Sequence, residues 1–172
     1  MQLPSKIIDI SMLLDNETVS DPEIMRPHIE YRSGADNAEM VCEFFPGLTP
    51  EDLPDGKGWS WEKITLVTHN GTHLDAPYHF HPVDKEGDAM MTIDEVPLDW
   101  CFRPGVKLDF RKMPDGHVVT AQEVEDELAR IGHELQPFDI VLVNTRASEC
   151  YGTDEYLTAG AGMGREATLY LT

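Results

Sequence analysis

The chain has 172 residues, 41% of them apolar, which suits one hydrophobic core and a single domain over 1–172. Its 13 basic and 32 acidic residues leave a formal net charge of −19, a balance that repels nucleic acid and anionic membrane surfaces and argues against both as partners. No run approaches the roughly 18 apolar residues of a membrane-spanning helix.

The N-terminus, MQLPSKIIDISMLL, has one lysine and a carboxylate, Asp9, inside its apolar part. That makes a poor export signal, so a cytoplasmic protein is expected. Isoleucines at 7, 8 and 10 predict a first strand over Lys6–Met12. A second is expected over Glu39–Phe45, with Met40, Cys42 and Phe44 on one face and Val41 and Phe45 on the other. The stretch 47–58, GLTPEDLPDGKG, is polar and rich in turn formers, hence a loop. Glu62–Thr68 is a β-branched run that predicts a strand. Val106–Phe110 alternates as a strand does, and Asp139–Thr145 (DIVLVNT) has the pattern of a buried one.

One helix is marked at both ends. Thr120 and Glu123 make a T-x-x-E capping box, Val124, Leu128, Ile131 and Leu135 form one apolar stripe, and Pro137 ends it. The run 160–164 (GAGMG) reads as a flexible turn. Arg165–Thr172 then begins a helix whose Leu169, Tyr170 and Leu171 need cover, compatible with a homodimer or larger assembly. Strands outnumber helices, so the fold class is mixed α and β. Cys42, Cys101 and Cys150 form no C-x-x-C pair and read as free thiols, buried or partly so, in a reducing compartment.

The run Glu62–Thr68 leads into His69-Asn70-Gly71-Thr72-His73-Leu74-Asp75-Ala76-Pro77-Tyr78-His79-Phe80-His81, which holds four of the chain's seven histidines. Neutral imidazole and carboxylate are ligands for borderline divalent metals. His69, His73, Asp75, His79 and His81 are all odd-numbered, so an unbroken extended segment places all five on one side. A helix does not: Asp75 falls about 240° round from His69. The segment reads as a strand end entering an irregular loop, with Gly71 allowing a bend and Pro77 fixing the exit. His79 is a fourth ligand or a general acid/base.

This stretch resembles the signature H-x-G-T-H-x-D-x-P-x-H of the cyclase-like metal-dependent hydrolases, a family that includes bacterial kynurenine formamidase (an arylformamidase) and isatin hydrolase. His69, Gly71, Thr72, His73, Asp75, Pro77 and His79 match its fixed positions. The resemblance extends to IIDIS at 7–11, to the strand at 139–145 and to GMGREAT at 162–168. The insertion carrying Gly58, Trp59 and Trp61 is similar to the isatin hydrolase branch. The resemblance implies a swivelling β/β/α fold, a zinc or manganese cofactor, and hydrolysis of a cyclic or N-formyl aromatic amide of the isatin-to-isatinate type. N-formylkynurenine hydrolysis in tryptophan catabolism is the alternative. It also implies that His69, His73 and Asp75 are metal ligands and that His79 is the catalytic acid/base.

The family supplies a further histidine and an acidic ligand from its C-terminal part, and this chain ends before them. The expectation is the N-terminal two-thirds of such a domain, with a metal-binding but non-catalytic chain as the reading from another class. Trp59 and Trp61 share one parity just upstream. Their rings suit stacking on an aromatic substrate or ordinary packing. His81, outside the signature, reads as a surface or supporting residue, and Asn70 as pointing away. Thr72 orients a ligand or serves the turn. Trp100 and Phe102 are expected in the core and Phe80 in packing. His28 and His133 are expected on the surface, and His117 in the turn PDGH.

Overall fold

The computed structural model describes residues 6–172; residues 1–5, where the export-signal reading begins, lie outside the described residues. In chain order the elements are β1 (His28–Arg32), α1 (Ala38–Phe44), β2 (Trp61–Thr65), α2 (Pro77–Phe80), β3 (Gly105–Asp109), β4 (Val118–Val119), α3 (Ala121–Ile131), β5 (Ile140–Asn144), β6 (Gly162–Met163) and α4 (Arg165–Leu171). Among the described residues the strands pair in twos. β1 and β2 are antiparallel with Ile29 opposite Ile64, and β3 and β5 are parallel with Val106 opposite Val141. β4 and β6 are parallel with Val119 opposite Met163. The class is mixed α and β.

The alternation in β3 builds the core. Val106 and Leu108 turn one way and, with Phe110 just beyond the strand, meet Val124 and Leu128 of α3, Val119 of β4 and Ala167 of α4. Leu108, Val119 and Val124 are fully enclosed. The start of α3 is as expected: Thr120 N–H donates to the Glu123 carboxylate at 2.8 Å and Glu123 N–H to Thr120 Oγ1 at 3.2 Å. His117 adds a 2.9 Å contact to the same carboxylate, so it buttresses the cap as well as sitting in its turn. The helix stops earlier than Pro137 predicts. Gly132 takes φ +69°, and His133 N–H reaches back to Leu128 O at 3.0 Å, the left-handed glycine stop. Leu135 lies past the helix yet still packs on the core.

Several expectations change. Lys6–Met12 forms no strand, and Ile7, Ile8 and Ile10 are exposed: no strand of the described chain lies alongside to satisfy its backbone. Glu39–Phe45 is helical, because Val41 buries against Gly58 while Asn37, at the helix start, donates to Trp59 O at 3.0 Å. Short apolar runs fit either period. The glycine-rich run 160–164 is pinned: a Cβ on Gly164 would lie 2.7 Å from Val119 O, and Gly162 N–H bonds His117 O. β5 lies where expected, but Leu142 and Val143 are exposed. Trp100, Phe102, Phe80 and Cys101 are likewise exposed rather than buried. β1 (HIEYR) alternates polar and apolar as a strand does, and was not among the expected strands. No helix of the described residues is long and apolar enough to cross a membrane.

Candidate metal centre

β2 delivers the chain to the histidine stretch and ends at Thr65, earlier than Thr68. Asn70 then fixes the loop from inside. Its side-chain oxygen accepts from Val67 N–H at 2.8 Å, and its amide donates to Met25 O. Asn70 is buried and points away from the histidines, as its parity suggests. Gly71 supplies the bend with φ +58°, and a Cβ there would lie 2.8 Å from Leu14 Cδ2. Thr72 Oγ1 accepts from Met12 N–H at 2.8 Å. The threonine therefore fastens the N-terminal segment to the loop.

The remainder differs from one extended run. Pro77 is the first residue of α2, whose His79 N–H bonds Ala76 O at 2.9 Å. This turn carries His79 back over His69, with ring centroids 4.0 Å apart. His69 Nδ1 lies 2.7 Å from Asp75 Oδ1, and His73 Nε2 lies 3.5 Å from the same oxygen. His73 Nδ1 donates to Gly71 O at 2.9 Å, which fixes the tautomer and leaves Nε2 as the free acceptor. One ligand atom each from His69, Asp75 and His79 fall within 4.8 Å of one another. His81 turns aside, its Nδ1 2.5 Å from Val83 O.

Two or three imidazoles and a carboxylate around one point are a donor set for zinc or manganese. Ligand atoms on one tetrahedral ion stand about 3.4 Å apart, from metal–ligand lengths near 2.1 Å. Here the His69–Asp75 pair is drawn to 2.7 Å by its hydrogen bond, which occupies one donor pair. The residues fit the ion in type.

His69, Asp75 and His79 line a cavity of about 580 Å³, whose other walls include Leu74, Tyr78 and Ile93. Leu74, Tyr78, Thr92 and Ile93 were not foreseen. The one signal available was T-x-x-E at Thr92–Glu95, a local turn in which Thr92 N–H donates to the Glu95 carboxylate at 2.9 Å. Trp59 and Trp61 stand outside this lining. Trp59 packs on Phe44 and Phe45 at 6.4 and 6.2 Å, and Trp61 is paired in β2 opposite Arg32. The structure thus gathers His69, His73, Asp75 and His79 and leaves the two tryptophans apart.

A larger cleft of about 730 Å³ lies among Asp109, Arg111, Lys112, Glu127, Arg130 and Glu149. Its guanidiniums are already engaged: Arg111 grips Asp109 at 2.7 and 2.8 Å, and Arg130 grips Glu127 at 2.6 and 2.8 Å. The Arg111 hydrogen bond holds the Asp109 carboxyl well below the usual carboxylate range, and Arg130 does likewise for Glu127. Each pair is local in sequence, and Asp109 N–H, which donates to Glu127 Oε1 at 2.9 Å, joins the end of β3 to α3.

The family model described as "Putative cyclase" matches residues 8–172. A kynurenine formamidase of Geobacillus thermodenitrificans (strain NG80-2) is 35% identical over 69 residues, which cover 34% of this chain and 31% of that protein. A solved isatin hydrolase, bound to the product analogue thioisatinate, superposes with a TM-score of 0.66 at 19% identity, over 95% of this chain and 62% of that one. A structure described as a novel cyclase gives 0.65 at 18% identity, over 94% and 60%. The two structures share the fold. The chain spans less than two thirds of the length of each of these three relatives.

Proposed function

The chain belongs to the cyclase family, whose model takes in nearly all of it, and from that premise we propose a metal-dependent hydrolase of cyclic or N-formyl aromatic amides. The observation that carries this is the convergence of His69, Asp75 and His79 on one cavity, with His73 Nε2 3.5 Å from Asp75 Oδ1. In this reading His69, His73 and Asp75 hold a zinc or manganese ion. When bound, such an ion supplies acidity to water and polarisation to an amide carbonyl.

The chain's own residues do the rest. Asp75 accepts from His69 Nδ1 and orients that ring, and Gly71 O locks the His73 tautomer with Nε2 left free. His79 faces the cavity from the first turn of α2. It takes the proton from the attacking water and delivers it to the departing nitrogen, a task suited to imidazole near neutral pH. The substrate class rests on what the relatives are named for. Ring opening of the isatin-to-isatinate type is the first choice, and N-formylkynurenine hydrolysis, a step of tryptophan catabolism, the second.

A second reading has its own observation. His69, Asp75 and His79 form the tightest group, so His79 in place of His73 completes the ligand set there. We further take residues 8–172 as part of one domain, and the exposed Leu169 and Tyr170 of α4 as a face that suits a homodimer. The test is a side-by-side assay on isatin and N-formylkynurenine after chelation and reloading with zinc or manganese. Reloading restores turnover of one of them. Fully loaded protein that hydrolyses neither of these two points to another cyclic amide or ester, and metal binding without turnover of any such compound favours the non-catalytic alternative.

A further inference from the structure

We infer that Ile93, outside the histidine stretch, is a specificity-determining residue that, with Leu74 and Tyr78, holds the aryl ring of the amide; this rests on the hydrolase reading above. The cavity's lining combines two kinds of side chain: His69, Asp75 and His79, and the apolar surface of Leu74, Tyr78 and Ile93. Each of the three is about half exposed, at 55%, 51% and 55% for Leu74, Tyr78 and Ile93. The first two are placed by their neighbours: Leu74 lies between His73 and Asp75, and Tyr78 precedes His79.

Ile93 is brought in from a distance by a folded-back segment, residues 81–93. Asp84 closes its tip, its carboxylate accepting from Glu86 N–H and Asp88 N–H at 2.9 Å each. Val83 bridges Ala89, and Met90 N–H bonds Pro82 O at 3.0 Å. Tyr78 N–H then bonds Met91 O at 3.0 Å, which ties the returning strand to α2 itself. Backbone hydrogen bonds therefore set the distance from Ile93 to the histidines. A cavity of about 580 Å³ exceeds the needs of a formyl group or a small alkyl amide, and falls within the range of about 300–1,000 Å³ usual for organic ligands. A flat apolar ring held by Leu74, Tyr78 and Ile93 leaves the carbonyl free to meet the histidines of the same lining. The tryptophans expected to stack on the ring lie elsewhere, so these three side chains take that task.

The test compares metal-loaded wild-type protein with Ile93→Asp and Ile93→Leu. Binding of formanilide and of N-methylformamide, which share the formyl C–N bond but not the ring, is measured by titration calorimetry or ligand-observed NMR. kcat and KM are measured alongside, with a thermal melt to confirm folding. Ile93→Asp is expected to weaken formanilide binding by about tenfold or more beyond any effect on N-methylformamide, chiefly in KM, and Ile93→Leu to stay near wild type. Wild-type protein that does not bind formanilide, or an Ile93→Asp variant that weakens neither amide or both alike, overturns the inference. Affinity decides the role of Ile93 and turnover decides the hydrolase reading, so the two fail separately.

Discussion

Asn70 is the residue on which the histidine loop is hung, though it is no fixed position of the signature. It is 4% exposed and joins Val67 N–H to Met25 O. Asn70→Ala removes the partner of both Val67 N–H and Met25 O and should cost about 1–3 kcal/mol, read as a lower urea midpoint. Thr72→Val, which frees Met12 N–H at a less enclosed site, should cost less than Asn70→Ala in the same measurement. The ligand candidates were legible in the sequence because ligand types repeat there at close spacing. How they meet was not. Parity predicted one face of an extended run, whereas a left-handed bend at Gly71 and a helical turn begun by Pro77 bring His79 onto His69 and send His81 away. Ile93 was invisible for a related reason: it reaches the cavity through backbone bonds of a segment with no apolar period.

At the scale of elements, β3 and α3 read directly, since alternation and a capping box are local signals. The cap is a sharp test: Thr120→Ala should lower stability by about 1 kcal/mol. Leu108→Ala, in the enclosed core between β3 and α3, should lower it by about 2–5 kcal/mol, with the same urea melt as readout. Elsewhere a tertiary contact overrides a local preference. Residues 39–45 have strand-like composition, yet Val41 finds cover only by coiling beneath Gly58. Gly132 ended α3 before Pro137 was reached, because a left-handed glycine satisfies the last carbonyls at once. β1 alternates polar and apolar residues over only five positions, and only Ile29 of them is buried.

Over the whole molecule, the charge of −19 is spread across the surface, and a few carboxylates carry the pH dependence. Asp115 is the clearest. Hydrogen bonds from Arg146 and from Gly160 N–H lower it from 3.8 to about 2. A depressed carboxylate stabilises the fold above its unfolded value and loses that contribution as pH falls, here between about 4 and 2. Asp115 joins the turn before β4 to Arg146 after β5 and to Gly160 before β6. Arg146→Gln should therefore lower the melting temperature at pH 7 and shrink the further drop between pH 4 and pH 2. The roles of the four gathered side chains are tested most directly by divalent metal per chain in wild type, His73→Ala and His79→Ala. Stoichiometric metal in wild type, its loss in His73→Ala, and its retention in His79→Ala with turnover reduced about a hundredfold or more is the predicted pattern. Stoichiometric metal retained by His73→Ala and lost from His79→Ala would contradict it.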